Sequence, residues 1–316
     1  MTMEATDTGL LALVDDKTRL AGSNRMELLL FSLGGSETFG INVFKVREVC
    51  ETPPITRAPN MPKGVEGIIS LRGAIIPVVD LGQLMHHGPR DGPGKLIITE
   101  FSGHTQGFHV AEVDRIVRVD WERVRTPRGM LACGGNLITA ITELPDHQLV
   151  SILDVEQILH DTFGDEPMPA LEPIPREQVR DVFFADDSAF ARRKIAAVLD
   201  QLTLPHTEAH NGVEAWSKLC TLAGRAQADG IPLAATLGVV MVDAEMPEMD
   251  GYVLTRHIKG DPRFAGIPVV MHSSLSSVAN RKMGQQVGVD AYVAKFNAES
   301  LAAALAGILQ AKSEHA

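Results

Sequence analysis

A few polar positions in the C-terminal half of the chain have the types and spacing to handle a phosphoryl group. Asp186 and Asp187 form an acidic pair, Asp243 follows an apolar run, Ser273 and Ser274 follow a second, and Lys295 follows a third. Three converging carboxylates repel one another unless a cation joins them. Mg2+ suits that place, being a hard ion content with carboxylates, waters and a phosphoryl oxygen. A carboxylate beside such an ion can attack phosphorus and become an aspartyl phosphate. The oxygens it gains then need donors, which a serine hydroxyl and a lysine ammonium supply. Each residue alone has a plainer use. Asp187-Ser188 reads as a helix cap, Asp243 as a solvated loop residue, Ser273 as a partner for loop backbone and Lys295 as a surface lysine. Only their joint placement demands the chemistry.

That placement comes from the elements around them. Beyond Arg180 the pattern is strand, loop, helix, repeated. Apolar segments at 182–185, 237–242, 269–272 and 291–294 read as buried strands. Helices are expected over a face formed by Ala191, Ile195, Val198, Leu199 and Leu202, then over 213–223 and 252–259, more weakly from Ser276, and last over Leu301, Ala304, Leu305, Ile308 and Leu309. Alternating β and α with continuously apolar strands implies a doubly wound parallel sheet, covered on both faces. In such sheets ligands bind beyond the carboxyl ends of the strands, where Asp186, Asp187, Asp243, Ser273 and Lys295 fall.

The N-terminal half has a different period. Segments 28–33, 39–49, 67–71, 74–81, 96–101, 107–119, 137–143 and 148–155 are short and β-like, several with period-2 alternation. Turn signals separate them: Gly34-Gly35-Ser36, Pro53-Pro54 and Gly92-Pro93-Gly94. This is an all-β barrel or sandwich. Pro77 points to an edge strand or bulge. No nucleophile with a plausible base occurs in this half. Between the halves, Pro167, Pro169, Pro173 and Pro175 mark a semi-extended linker, with a loop packed on one domain as the alternative. The expected division is 1–22 N-terminal segment, 23–162 β domain, 163–178 linker and 179–316 α/β domain.

Bulk properties exclude several classes. The net charge is −11, which opposes nucleic-acid binding and docking on anionic lipid. No apolar stretch approaches the ~20 residues that span a bilayer, and Glu4 with the short apolar run 10–14 does not read as a signal peptide. Cys50, Cys133 and Cys220 form no CxxC pattern and fit reduced thiols of a cytoplasmic protein. The His86-His87 pair has no further ligand at helical spacing and reads as structural.

The motif Phe184-Ala185-Asp186-Asp187-Ser188, with Met241-Val242-Asp243-Ala244-Glu245-Met246-Pro247, Ile267-Pro268-Val269-Val270-Met271-His272-Ser273-Ser274 and Tyr292-Val293-Ala294-Lys295, resembles a response-regulator receiver. The resemblance implies that Asp243 is the phospho-acceptor, and that Asp186, Asp187, Asp243 and the Glu245 backbone carbonyl hold Mg2+. It makes Ser273 the switch hydroxyl, Lys295 the site lysine and Tyr292 the switch aromatic. Two departures stand out. Phe296 follows Lys295 where the family usually has proline, and the chain between Asp187 and Asp243 is longer than usual, the excess being assigned to a loop at 226–235. A phosphatase of the haloacid-dehalogenase type would need an aspartate two positions after the nucleophile as general acid, and that position is Glu245.

In the β half, Gly67-Ile68-Ile69-Ser70-Leu71-Arg72-Gly73-Ala74 and Phe39-Gly40-Ile41-Asn42-Val43-Phe44-Lys45-Val46-Arg47-Glu48-Val49 resemble the CheW coupling family, with two SH3-like five-stranded barrels. That family bridges chemoreceptors and the histidine kinase CheA. With Leu20-Ala21-Gly22-Ser23-Asn24-Arg25-Met26-Glu27 in front, the whole chain resembles the CheV family, in which this domain is fused to a receiver. The resemblance implies a non-enzymatic chemotaxis adaptor, cytoplasmic and at receptor arrays on the inner membrane, with a phosphate sink as the alternative. It places Val46, Glu48 and Arg72 on or near the partner surface, and their positions suggest a Glu48–Arg72 ion pair.

Overall fold

The run Leu28-Leu29-Leu30-Phe31 is buried throughout, which a strand achieves only when both its faces are covered. It forms the middle of β1 (Arg25–Ser32). The computed structural model describes residues 25–87, 92–101, 104–126, 137–164, 167–273, 278–295 and 297–314. Segment 1–22, Cys133, Ser274 and Phe296 therefore lie outside the described residues. The chain forms two compact units, dividing after residue 165.

The first unit continues with β2 (Thr38–Asn42), β3 (Val46–Glu51), β4 (Val65–Leu71), β5 (Ala74–Asp80), α1 (Leu81–Leu84), β6 (Lys95–Phe101), β7 (His104–Val110), β8 (Glu112–Asp120), β9 (Val124–Arg125), β10 (Ile138–Glu143), β11 (Leu149–Leu153) and α2 (Val155–Phe163). Its strands make a six-stranded sheet, β8-β1-β2-β11-β10-β9, and a five-stranded one, β3-β6-β7-β5-β4. Met26, Leu28 and Leu30 join Val119, Trp121 and Val150 in one core, while Leu96 and Ile98 join Ile69, Ile76 and Val78 in another. The alternate residues Leu29 and Phe31 meet Val79, Ile97 and Phe108 from the other sheet in a third, shared core. Period-2 alternation thus sends each strand's faces into different cores.

Several expectations for this unit need correction. The segment 39–49 is not one strand: the Asn42 side chain accepts from the Phe44 backbone N–H at 3.0 Å and turns Val43–Lys45 into a 3-10 helix. The segment 107–119 breaks at Ala111, whose N–H donates to Ser32 O. Residues 155–163 form a helix that strand patterning did not anticipate, capped by Asp154. Pro77 lies on an interior strand, between β7 and β4. It is tolerated because β5 pairs with β7 only over Val78–Asp80, so no neighbour there asks Pro77 for an N–H. Cys50 and Cys220 are free thiols.

The second unit contains β12 (Asp181–Ala185), α3 (Ala189–Gln201), β13 (His206–Ala209), α4 (Gly212–Ala228), α5 (Leu233–Thr236), β14 (Leu237–Val242), α6 (Gly251–Gly260), β15 (Val269–Ser273), α7 (Val278–Val287), β16 (Ala291–Ala294) and α8 (Ala298–Glu314). All five strands are parallel, in the order β13-β12-β14-β15-β16. The order reverses between β12 and β14, the place where a doubly wound sheet opens a crevice. The segment 226–235 is not simply a loop, since α4 runs into it and α5 begins within it. Nor is most of 163–178 a free linker. Ile174 is buried in the second unit's core with Met168 and Leu171 beside it, and the Ile174 N–H donates to Leu202 O at 3.0 Å. The alternative reading, a loop packed on one domain, is the one the structure shows: the stretch stays extended at Pro175 and packs through three apolar side chains.

Candidate functional site

The parallel ladder runs one residue past the strand ends and delivers the polar side chains to one place. Asp186 N donates to Ala209 O at 3.2 Å, Asp243 N to Ala185 O at 2.9 Å, and Lys295 N to Ser273 O at 3.1 Å. Each of the five strands is thereby tied to a neighbour at its carboxyl end. Ligand oxygens of Asp186, Asp187 and Asp243 lie within 4.8 Å of one another. Lys295 Nζ sits 2.8 Å from Asp186 Oδ2 and 2.9 Å from Asp243 Oδ2. Asp186, Asp243, Ser273 and Lys295 are all buried, whereas Asp187, Glu245 and Tyr292 are half-buried.

Local chemistry explains why the carboxylates are available. Ser188 caps α3, its hydroxyl accepting from Ala191 N–H at 3.3 Å. Ser188 is thus the cap residue, and Asp187 joins the acidic group. Asp186 Oδ1 accepts from the Ser188 N–H at 3.0 Å. Between Asp243 and α6 the chain turns sharply, with Glu248 at φ 67°. A Cβ on Gly251 would overlap the Asp243 carbonyl oxygen, so glycine is required there for close approach.

Three carboxylates against one ammonium leave a net negative pocket whose donors are hard oxygens. Oxygens that already lie within 4.8 Å of one another are near enough for one small divalent ion such as Mg2+ to draw them together. The donor set fits such a divalent cation.

Sequence reasoning missed three residues here. Arg192 on α3 reaches the carbonyls of Asp186 and Asp187. Asp250 caps α6 from a buried position, and burial pushes its carboxyl above the usual range. Tyr252 is buried, burial pushes its phenol up, and its hydroxyl has no hydrogen-bond partner among the described residues. A helix cap three residues before an i−3 N–H was legible at Asp250; the other two depend on tertiary packing.

In the first unit, Arg72 stands at the β4–β5 turn with φ 49°, and its Nη2 donates to Glu48 Oε2 at 2.7 Å. The suggested ion pair is present. Val46 is different: it is 9% exposed and packs in the shared core, so its side chain does not form part of the surface. The register shift between Val46 and Glu48 places them on different faces.

The two units are an all-β domain of two sheets and a doubly wound parallel α/β domain with an acidic group at its switch point. Residues 27–163 match the CheW-like domain family and residues 182–306 the response regulator receiver domain family. Chemotaxis protein CheV3 of Helicobacter pylori is 33% identical, over 86% of this chain and 88% of its own. Chemotaxis protein CheV2 of the same organism is 28% identical, over 90% and 95%. Scaffolding protein TtCheW from Thermoanaerobacter tengcongensis, a solved structure, is 29% identical over 45% of this chain and 91% of its own, with a TM-score of 0.40. The chain belongs to the CheV family of chemotaxis proteins.

Proposed function

We propose that this chain couples chemoreceptors to the histidine kinase CheA through its CheW-like half, and that phosphorylation of Asp243 regulates the coupling. The observation that carries the proposal is the buried Lys295 ammonium shared by Asp186 and Asp243 at the switch point of the sheet. A lysine held between two carboxylates, with a third beside them, has little structural purpose that apolar residues would not serve better.

In this mechanism an Asp243 carboxylate oxygen attacks the phosphorus of a phosphohistidine on the kinase. The P–N bond breaks, and the imidazole nitrogen leaves with the electron pair. Asp186, Asp187, Asp243 and the Glu245 backbone carbonyl would hold Mg2+, which neutralises the carboxylates and the incoming phosphoryl oxygens when bound. Lys295 then transfers its hydrogen bond from Asp243 to a phosphoryl oxygen, and the Ser273 hydroxyl donates to another. Tyr292 lies three residues before Lys295 on β16, and its rearrangement with Ser273 biases a two-state surface. The chain thus accepts one phosphoryl group rather than turning over a free substrate. It works in the cytoplasm, at receptor arrays on the inner membrane; among the described residues no helix is long and apolar enough to cross a bilayer.

The test is transfer from radiolabelled phosphorylated kinase in Mg2+. Wild type should acquire acid-stable, base-labile label and the D243A variant none. Absence of label on wild type, or equal label on both, would overturn the proposal. Slow loss of label supports a switch, whereas rapid loss with coupling intact in D243A points to a phosphate sink.

A further inference from the structure

Arg192 has no part in the phosphoryl chemistry above, yet it is tied to the backbone that carries two of the three carboxylates. It sits on α3 four residues after the Ser188 cap, with its own N–H donating to Ser188 O. Helical side chains lean toward the N-terminus, so the guanidinium folds back over the end of β12. Its Nη1 donates to Asp186 O at 2.9 Å and to Asp187 O at 3.0 Å. Its Nε lies 3.8 Å from Glu208 Oε2 on the edge strand β13.

We propose that Arg192 is a positioning residue for the cation site, clamping the Asp186 and Asp187 carbonyls so that their carboxylates meet that of Asp243. The inference rests on the metal-dependent phosphorylation proposed above. Two carbonyls held by one nitrogen fix two successive peptide planes. Each aspartate then has only its own side-chain torsions left to vary, and Asp186 is restrained further by its bond from the Ser188 N–H. Bonds from a charged donor are stronger than those between neutral groups. Glu208, on a different strand, lies 3.8 Å from Nε without a hydrogen bond to it, and its charge draws the guanidinium toward β13.

This arrangement separates the role of Arg192 from that of Lys295. Lysine meets the carboxylates themselves, and a phosphoryl group would compete for it. Arginine meets backbone carbonyls and Glu208 rather than the carboxylates of the cation site, so it can stay in place whether or not Asp243 is modified. It therefore acts on cation affinity before any transfer occurs.

The experiment is calorimetric titration of Mg2+ into the full chain, comparing wild type with R192M, R192K and E208Q. Each protein's unfolding temperature without metal serves as a control for folding. Partners one shell beyond a ligand typically change metal affinity by about 10–100-fold, so R192M should bind Mg2+ about tenfold or more weakly. R192K, which keeps a charged donor, should stay within about threefold of wild type, and E208Q should lose about twofold to threefold. R192M within about twofold of wild type, or R192K weakened as much as R192M, would overturn the clamp. If R192M does not fold, R192Q replaces it under the same limits. A wild type that binds no Mg2+ would overturn the phosphorylation proposal and this inference together. Normal wild-type binding with an unaffected R192M would overturn this inference alone.

Discussion

Lys295 meets two buried carboxylates at 2.8 and 2.9 Å, and Arg72 meets one at 2.7 Å on the surface. The distances are alike but the consequences differ. Arg72 is 73% exposed and Glu48 22%, and an ion pair in that setting contributes ~0–1 kcal/mol. Alanine at position 72 also carries a Cβ, so it keeps the cost of the positive φ rather than changing it. R72A is therefore expected to shift the unfolding free energy by less than ~1 kcal/mol, measured by urea titration. If this turn faces a partner, the same variant should bind receptor or kinase at least tenfold more weakly in a pull-down titration, on the order of 1.4 kcal/mol. Unchanged binding would remove Arg72 from the partner surface. At this scale Asp186, Asp187, Asp243, Ser273 and Lys295 were legible because each ends a strongly apolar run. Val46 was misplaced because a bulge, invisible in the pattern, turns it into the core.

Short turns decide how the elements deliver those residues. Asp250 caps α6 by accepting from Val253 N–H at 2.7 Å, and burial pushes its carboxyl up. A raised carboxyl in the folded state means that folding favours the protonated form. The stability from that preference is complete below the ordinary carboxylate value and is lost as pH rises through the raised one. Asparagine keeps the cap without the charge, whereas alanine loses the cap. At pH 7, D250N should be at least as stable as wild type and D250A less stable by ~1 kcal/mol. The advantage of D250N should shrink as pH falls below the ordinary carboxylate range, and a constant difference across pH 3–7 would contradict the burial argument. The missed strand β13 makes the same point from the other side. Its residues His206, Thr207 and Glu208 carry no apolar run, and it takes its place only by pairing with β12 at the sheet edge.

Across the whole molecule, each unit encloses cores of its own, and the acidic group belongs to the second. Mg2+ should therefore raise one of two transitions in a calorimetric scan and leave the other in place. At a hundredfold excess over its dissociation constant a ligand adds ~2.7 kcal/mol, or about 5–10 °C for a unit of this size. The D187N variant should lose that shift and, with one fewer like charge, should melt no lower than wild type without metal. A shift in both transitions, or one that survives D187N, would place the cation elsewhere.

The residues by themselves determined that the chain has two halves of different period, and that the second sets carboxylates, a hydroxyl and a lysine at the ends of parallel strands. Those features are local: apolar periodicity and the polar residue that ends each run are written in consecutive positions. Tertiary structure alone decided the rest. It sent alternate residues of β1 and β6 into different cores, let Pro77 sit inside a sheet and docked the proline-bearing stretch through Ile174. It also brought Arg192 onto the carbonyls of Asp186 and Asp187. Each of these depends on which neighbour lies across a sheet or over a helix end, and the spacing of residues along the chain does not encode that neighbour.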